Sequence, residues 1–317
     1  MEDKQNRSFG IILRLTLGIL FLILLIWNVS LDKLLLSISQ ASLFYLLLAI
    51  SYQYASIFLG AFNQYILFTA FSNLPFKSYL TAYVKAYAFG LLLPSQIGDA
   101  SIAFFLKSEG LYYSQTLSVY ILDKFLTFIL YVIVLFLFLG DIMGYPMIVS
   151  FSSIISFGLS LSIMFYIIVR LTSSFPVSWR ENRLMRFVHN LSSQLFFFTK
   201  HHSFLLLINF FLTCFKLGLV MLCYHAMITS LNYSLSIWRV GQTAIASGIV
   251  GYIPVSIQGL GTVEAMALLN FKTLGVSPAD VLACYLVLRS NNYVAVCLAY
   301  AATFIAKRNK STQRNIV

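Results

Sequence analysis

Residues 90–110 read GLLLPSQIGDASIAFFLKSEG. The stretch opens as the end of an apolar helix, breaks at Pro94 and again at Gly98, meets an acid at Asp99, and resumes as an apolar-faced helix to Lys107, Ser108 and Glu109. An unpaired backbone group costs several kcal/mol in hydrocarbon. A break of this kind therefore persists at membrane depth only where it lines a cavity or is buried in protein. Residues 251–275, GYIPVSIQGLGTVEAMALLNFKTLG, repeat the arrangement, with a break from Pro254 through Gly259 to Gly261 and an acid at Glu264.

The surrounding composition places both breaks in a membrane. Of 317 residues, 60% are hydrophobic and 10% charged, against roughly 25% charged in soluble domains. The net charge of +11 is no nucleic-acid signal, because the basic residues sit mainly in short segments between apolar runs. There they act as orientation signals and contacts for anionic headgroups. Cys214, Cys223, Cys284 and Cys297 all lie in apolar runs without a CxxC pair or Cys/His cluster, which points to free thiols rather than zinc or disulfides. The apolar run after Lys4, Arg7 and Arg14 is long for a signal peptide and reads as an uncleaved first spanning helix.

Six apolar runs reach spanning length, at about 10–27, 42–62, 116–139, 146–171, 203–230 and 279–306. Lys4 and Arg7, the group Arg170, Arg180, Arg183, Arg186 and Lys200, and the tail Lys307, Arg308, Lys310 and Arg314 assign three segments to the cytoplasm. The opposite face carries only Lys33 beside Asp32, Asp141, Arg239 and Lys272. Parity then requires residues 78–110 to enter and return on the cytoplasmic side, and residues 240–275 to do so outside. The expected fold class is an all-α polytopic integral membrane protein. It has about six spanning helices plus two re-entrant or broken hairpins in an inverted repeat, all within one transmembrane domain spanning 1–317. Repeat one covers about 42–139 and repeat two about 203–306, an arrangement that places a transporter's substrate near the midplane. Between them, residues 175–202 carry Leu184, Phe187, Val188 and Leu191 at helical spacing opposite basic residues, the pattern of a cytoplasmic interfacial helix.

Ionisable residues inside a membrane are functional candidates. Asp99 and Glu264 follow Gly-containing breaks. They can cap half-helices, or sit where half-helix N-termini present N–H groups to an anionic headgroup. Asp123 and Lys124 lie a turn or two into a spanning run. Arg289, followed by Ser290, Asn291 and Asn292, lies deep in the last one, where a phosphate or Glu264 would suit its guanidinium. Lys85, Lys107, Glu109, Lys216 and His225 are weaker candidates, readable as rim, snorkelling or packed side chains. Gly259-Leu260-Gly261 has no preceding strand and is no nucleotide fingerprint.

At these positions the chain resembles the transmembrane domain of lysylphosphatidylglycerol synthases, a family also called flippase-like. Pro94, Gly98 and Asp99 match its first motif, although Ile102 stands where an arginine is usual. Asp123–Lys124 matches an Asp-Arg pair with Lys for Arg. Pro254, Gly259, Gly261, Glu264, the run Leu274-Gly275-Val276-Ser277 and Arg289 match its last motif. The resemblance implies a substrate-binding set of Pro94, Gly98, Asp99, Asp123, Lys124, Pro254, Gly259, Gly261, Glu264 and Arg289, with no catalytic residue, metal or cofactor. It also implies a stand-alone member without the aminoacyltransferase domain. The resulting expectation is a plasma-membrane flippase or transporter with cytoplasmic termini. Its substrate would be a phospholipid or lipid-linked sugar with an anionic or zwitterionic headgroup. The alternative is a membrane enzyme, or an accessory partner of a lipid-modifying enzyme or glycosyltransferase.

Overall fold

Runs of Leu, Ile, Phe and Val offer the backbone no side-chain partners, so in hydrocarbon each N–H and C=O must be satisfied within its own segment, which a helix does. The computed structural model describes residues 2–92, 100–145, 147–173, 182–253 and 256–314, and these contain helices and turns but no strand. The helices are α1 (Glu2–Val29), α2 (Leu31–Gln40), α3 (Leu43–Phe68), α4 (Phe76–Leu92), α5 (Ile102–Lys107) and α6 (Tyr113–Met143). After the turn at Gly144 come α7 (Met147–Ser173), α8 (Arg183–His201), α9 (Ser203–Ser230), α10 (Ile237–Gly248), α11 (Thr262–Lys272) and α12 (Pro278–Arg314). Two 3-10 turns, Ile249–Tyr252 and Ile257–Gly259, join α10 to α11.

The chain is thus a polytopic all-α membrane protein. Among the described residues, α3, α6, α9 and the Pro278–Leu298 part of α12 are each long and apolar enough to cross a bilayer. A fifth crossing is reached if Thr16–Val29 is taken together with α2. The expected spans at 10–27 and 146–171 correspond to α1 and α7, of 28 and 27 residues; in α7 the described apolar part is the shorter Ser156–Thr172.

Two short amphipathic helices flank the spans. Residues 31–40, read from sequence as a short loop, form α2, turned 81° from α1 at Ser30. Leu34 and Ser37 are buried while Leu31, Leu35 and Leu36 stay exposed. The helix at 175–202 is α8, and residues 174–181 lie outside the described residues. Its apolar residues divide between two neighbours. Leu195 and Phe198 are buried against α4–α7, whereas Leu184 and Phe187 are exposed, as befits a helix lying between protein and lipid.

The expected hairpins are helix pairs: α4 packs on α5, and α10 on α11. The first break, with Pro94, Gly98 and Asp99, lies outside the described residues, as does Pro254 of the second. The remainder of the second break turns on positive φ at Gln258 (48°), Gly259 (69°) and Gly261 (77°). Glycine reaches such angles without a Cβ penalty, and Gln258 does not.

α3 and α9 form the most extensive helix pair among the described residues, and they run antiparallel. Ser42, before α3, donates its N–H to the Ser230 carbonyl at the end of α9 (2.8 Å). Further along, Asn63 Nδ2 of α3 donates to Thr213 Oγ1 of α9 (2.9 Å). One apolar core gathers α4, α5 and the start of α6 at one end of this pair; another gathers α10, α11 and the start of α12 at the other. Packing across the pair is reciprocal. α10 touches α6 and α4 touches α12; α9 touches α6 and α3 touches α12. The same exchange carries α1 and α2, which pack on α12, onto α7 and α8, which pack on α6.

Candidate functional site

Polar groups deep in a membrane protein collect where helices from several segments leave a shared space. Here that space lies between the two hairpins, in two adjacent compartments. One, of about 400 Å³, is lined by Gln53, Tyr87, Tyr224, Glu264, Tyr285 and Arg289 among others. The second, of about 210 Å³, is lined by Gln64, Tyr83, Tyr120, Asp123, Lys124 and Lys216 among others. Ser56, Ile57, Tyr87, Tyr131 and Val220 line both.

In the first compartment Glu264 occupies the first turn of α11. Its Oε2 accepts the Gly261 N–H (2.7 Å), so the capping role is filled. Its Oε1 meets Arg289 Nε and Nη2, each at 2.7 Å. Arg289 Nη1 donates to the Gln258 carbonyl (3.4 Å), so the strained residue of the break directs its oxygen at the guanidinium. The Glu264 side chain is fully buried, whereas 17% of the Arg289 side chain remains exposed, on the cavity side. Beside it, Gln53 Nε2 donates to the Leu288 carbonyl (2.8 Å) and Asn292 Oδ1 (2.9 Å), and Asn291 Nδ2 donates to Gln53 Oε1 (2.6 Å). This polar belt fixes α3 against α12.

In the second compartment Asp123 is buried, and its Oδ1 accepts from Asn209 Nδ2 (3.1 Å) and Asn63 Nδ2 (3.5 Å). The Lys124 ammonium lies 5.5 Å from the Tyr120 ring centre, within cation–π range. Lys124 is the twelfth residue of α6, and Arg289 the twelfth of α12. Each compartment therefore receives a cation from the same register of corresponding helices.

The structure brings Asp123 and Lys124 to one compartment and Glu264 and Arg289 to the adjacent one. Gly259 and Gly261 shape the turn behind it, and Pro94, Gly98, Asp99 and Pro254 fall outside the described residues. Lys85, Lys107 and Glu109 are exposed away from the cavity; Lys85 lies over Phe105 and Lys107 over Tyr113. Lys216 lines the second compartment. His225 is a packed residue whose Nε2 lies 3.1 Å from the Leu235 carbonyl. Ile102, in the position of the usual arginine, is buried and lines the second compartment. Outside the spans, Tyr233 donates to Asp280 Oδ2 (2.7 Å), tying the α9–α10 turn to α12. Burial, and then that carboxylate, raise its phenol pKa. Cys223 and Cys284 are buried free thiols as expected, while Cys297 is exposed.

Sequence reasoning missed Gln53, Asn63, Asn209 and the tyrosines. The four-residue spacing of Tyr79, Tyr83 and Tyr87, which places their rings in one file on α4, the last two stacked, was the available signal.

An all-helical membrane protein with paired half-helices around a polar cavity is a recognisable class. The chain belongs to the family described as Lysylphosphatidylglycerol synthase TM region, which matches residues 11–299 and associates it with lipid handling. No curated protein matches the chain.

Proposed function

We propose that this protein binds the headgroup of a membrane lipid or lipid-linked molecule in the cavity between its two hairpins and moves it between leaflets. The headgroup is anionic or zwitterionic. The carrying observation is the pair of adjacent compartments, each supplied with a cation and a carboxylate, that share a wall of Ser56, Ile57, Tyr87, Tyr131 and Val220 where α4 packs on α12 and α10 on α6. Arg289, paired with Glu264 yet open to the cavity, can offer its remaining face to a phosphate or carboxylate. Lys124 and Asp123 offer both signs one compartment away, so a zwitterion finds complementary charge along the path. The antiparallel seam of α3 and α9 supports an inverted repeat, in which two related halves rock about a fixed midplane site. On this reading the repeats extend to α1–α6 and α7–α12, the membrane is the plasma membrane, and both termini are cytoplasmic.

The test is lipid translocation in reconstituted vesicles, followed with a headgroup-labelled phospholipid and an impermeant quencher. Glu264→Gln, Arg289→Gln and Lys124→Gln should each slow translocation by about tenfold or more while insertion is unchanged. One lost charge-assisted contact corresponds to roughly 1.5–3 kcal/mol. A buried pair that serves only structure is often replaceable by packed apolar residues. Wild-type rates in all three variants and in a Glu264→Leu/Arg289→Met double variant would therefore overturn the proposal.

A further inference from the structure

A cavity of about 570 Å³, apart from the central one, lies where the α1–α2 elbow meets α11 and the start of α12. Its walls include Leu25, Leu268 and Leu269, and Asn28, Lys33 and Lys272 add polar groups. Leu269 is 66% exposed, so the cavity opens sideways along an apolar surface. Lys33 and Lys272 are both exposed, and no carboxylate pairs with either ammonium among the described residues. Asp32 neighbours Lys33 in the chain but does not line the cavity, and Asp280 is engaged by Tyr233 and Ser277.

We infer that this cavity is a binding site for one anionic phospholipid. Its phosphate sits between Lys33 and Lys272, and one acyl chain lies along Leu25, Leu268 and Leu269. Charge complementarity selects the occupant. Two lysines at the end of an apolar groove suit a phosphate carrying net negative charge, because cations near a membrane surface favour anionic lipid. The lysine stems lie along apolar wall while their heads meet the headgroup layer. An unpaired lysine at the end of α11 also complements that helix's dipole. That role alone leaves both the groove and Lys33 without explanation. The site is separate from the central cavity, since none of the residues given for its walls lines that cavity.

The experiment places the full chain in nanodiscs of phosphatidylcholine with a minor share of phosphatidylglycerol. Lipids retained after mild detergent transfer are counted by native mass spectrometry. The wild type should retain one phosphatidylglycerol, and the Lys33→Gln/Lys272→Gln variant should bind it about 25-fold more weakly. Leu269→Trp, which fills the groove and leaves both charges, should also lower retention. Arg289→Gln should retain the lipid like the wild type, which separates this site from the central cavity. Equal retention of phosphatidylcholine by the wild type would overturn the inference, as would undiminished phosphatidylglycerol in the lysine variant or loss in Arg289→Gln alone. The two exposed lysines permit folding in either case, checked by unchanged thermal unfolding in pure phosphatidylcholine.

Discussion

Gly261 is pinned twice, by its φ of 77° and by α1. A Cβ there would lie 2.5 Å from Phe21 Cβ and 2.9 Å from the Gly18 carbonyl oxygen. Both contacts are with backbone or stem atoms that cannot swing aside. Gly261→Ala should therefore combine left-handed strain with overpacking, each of about 1–3 kcal/mol, and push α1 off the second break. A thermal unfolding midpoint in detergent that drops by several degrees is the expected result, and an unchanged midpoint would refute it. At this scale the candidate site was partly legible. Glu264 and Arg289 stand out as charges in apolar sequence, where a lone ion is expensive. Gln53 and the tyrosines did not, because an uncharged polar residue in a spanning run costs little unless its partners are known. Only the fold shows that Gln53 faces Asn291 and Asn292, more than 230 positions away.

Among the elements, α2 and α8 are legible by different routes. The basic residues of α8 stand against its apolar positions and mark an interfacial helix. α2 has only Asp32 and Lys33 as charges, so its ten residues pass for a loop between two spans. Its amphipathic period becomes plain once Leu34 is seen to pack against α12 and α1, with Ser37 buried one turn on. If these helices lie on opposite membrane faces, single cysteines in a Cys-free variant will label accordingly. Impermeant maleimide should reach Ser39 and Thr273 from outside, and Arg186 and Lys200 only after permeabilisation. Labelling of Ser39 and Lys200 from the same side would sink the topology and the inverted repeat with it. The break at 93–99 was the most conspicuous element in the sequence, since proline and glycine interrupt an apolar helix there. The run itself did not show that α4, just before it, lines the central compartments with Tyr83 and Tyr87.

For the whole molecule, the antiparallel seam of α3 and α9 is the most extensive helix contact among the described residues, and on the proposed reading it joins the two halves. The hairpins, by contrast, each touch the opposite half over shorter stretches. If translocation proceeds by rocking of hairpins around this seam, cross-linking it should be tolerated. A Ser42→Cys/Ser230→Cys pair, placed where the backbones approach to 2.8 Å, should keep at least half of wild-type translocation after oxidation. Loss of activity on oxidation, restored by reductant, would show that the seam itself moves. Charge parity made an expectation of two related halves legible in the sequence, at about 42–139 and 203–306. α1–α2 and α7–α8 share little sequence pattern, and only the fold shows that the first pair leans on α12 and the second on α6.

The shortness of α11 carries one more consequence. Its eleven residues hold Glu264 in the first turn and Lys272 at the end, about 12 Å apart along a single stiff rod. Whatever tilts that rod shifts the carboxylate holding Arg289 and the ammonium facing the lateral groove together. Losing the Arg289 charge leaves the rod where it is, so the lateral groove answers to a tilt of the hairpin and not to the charge in the central cavity.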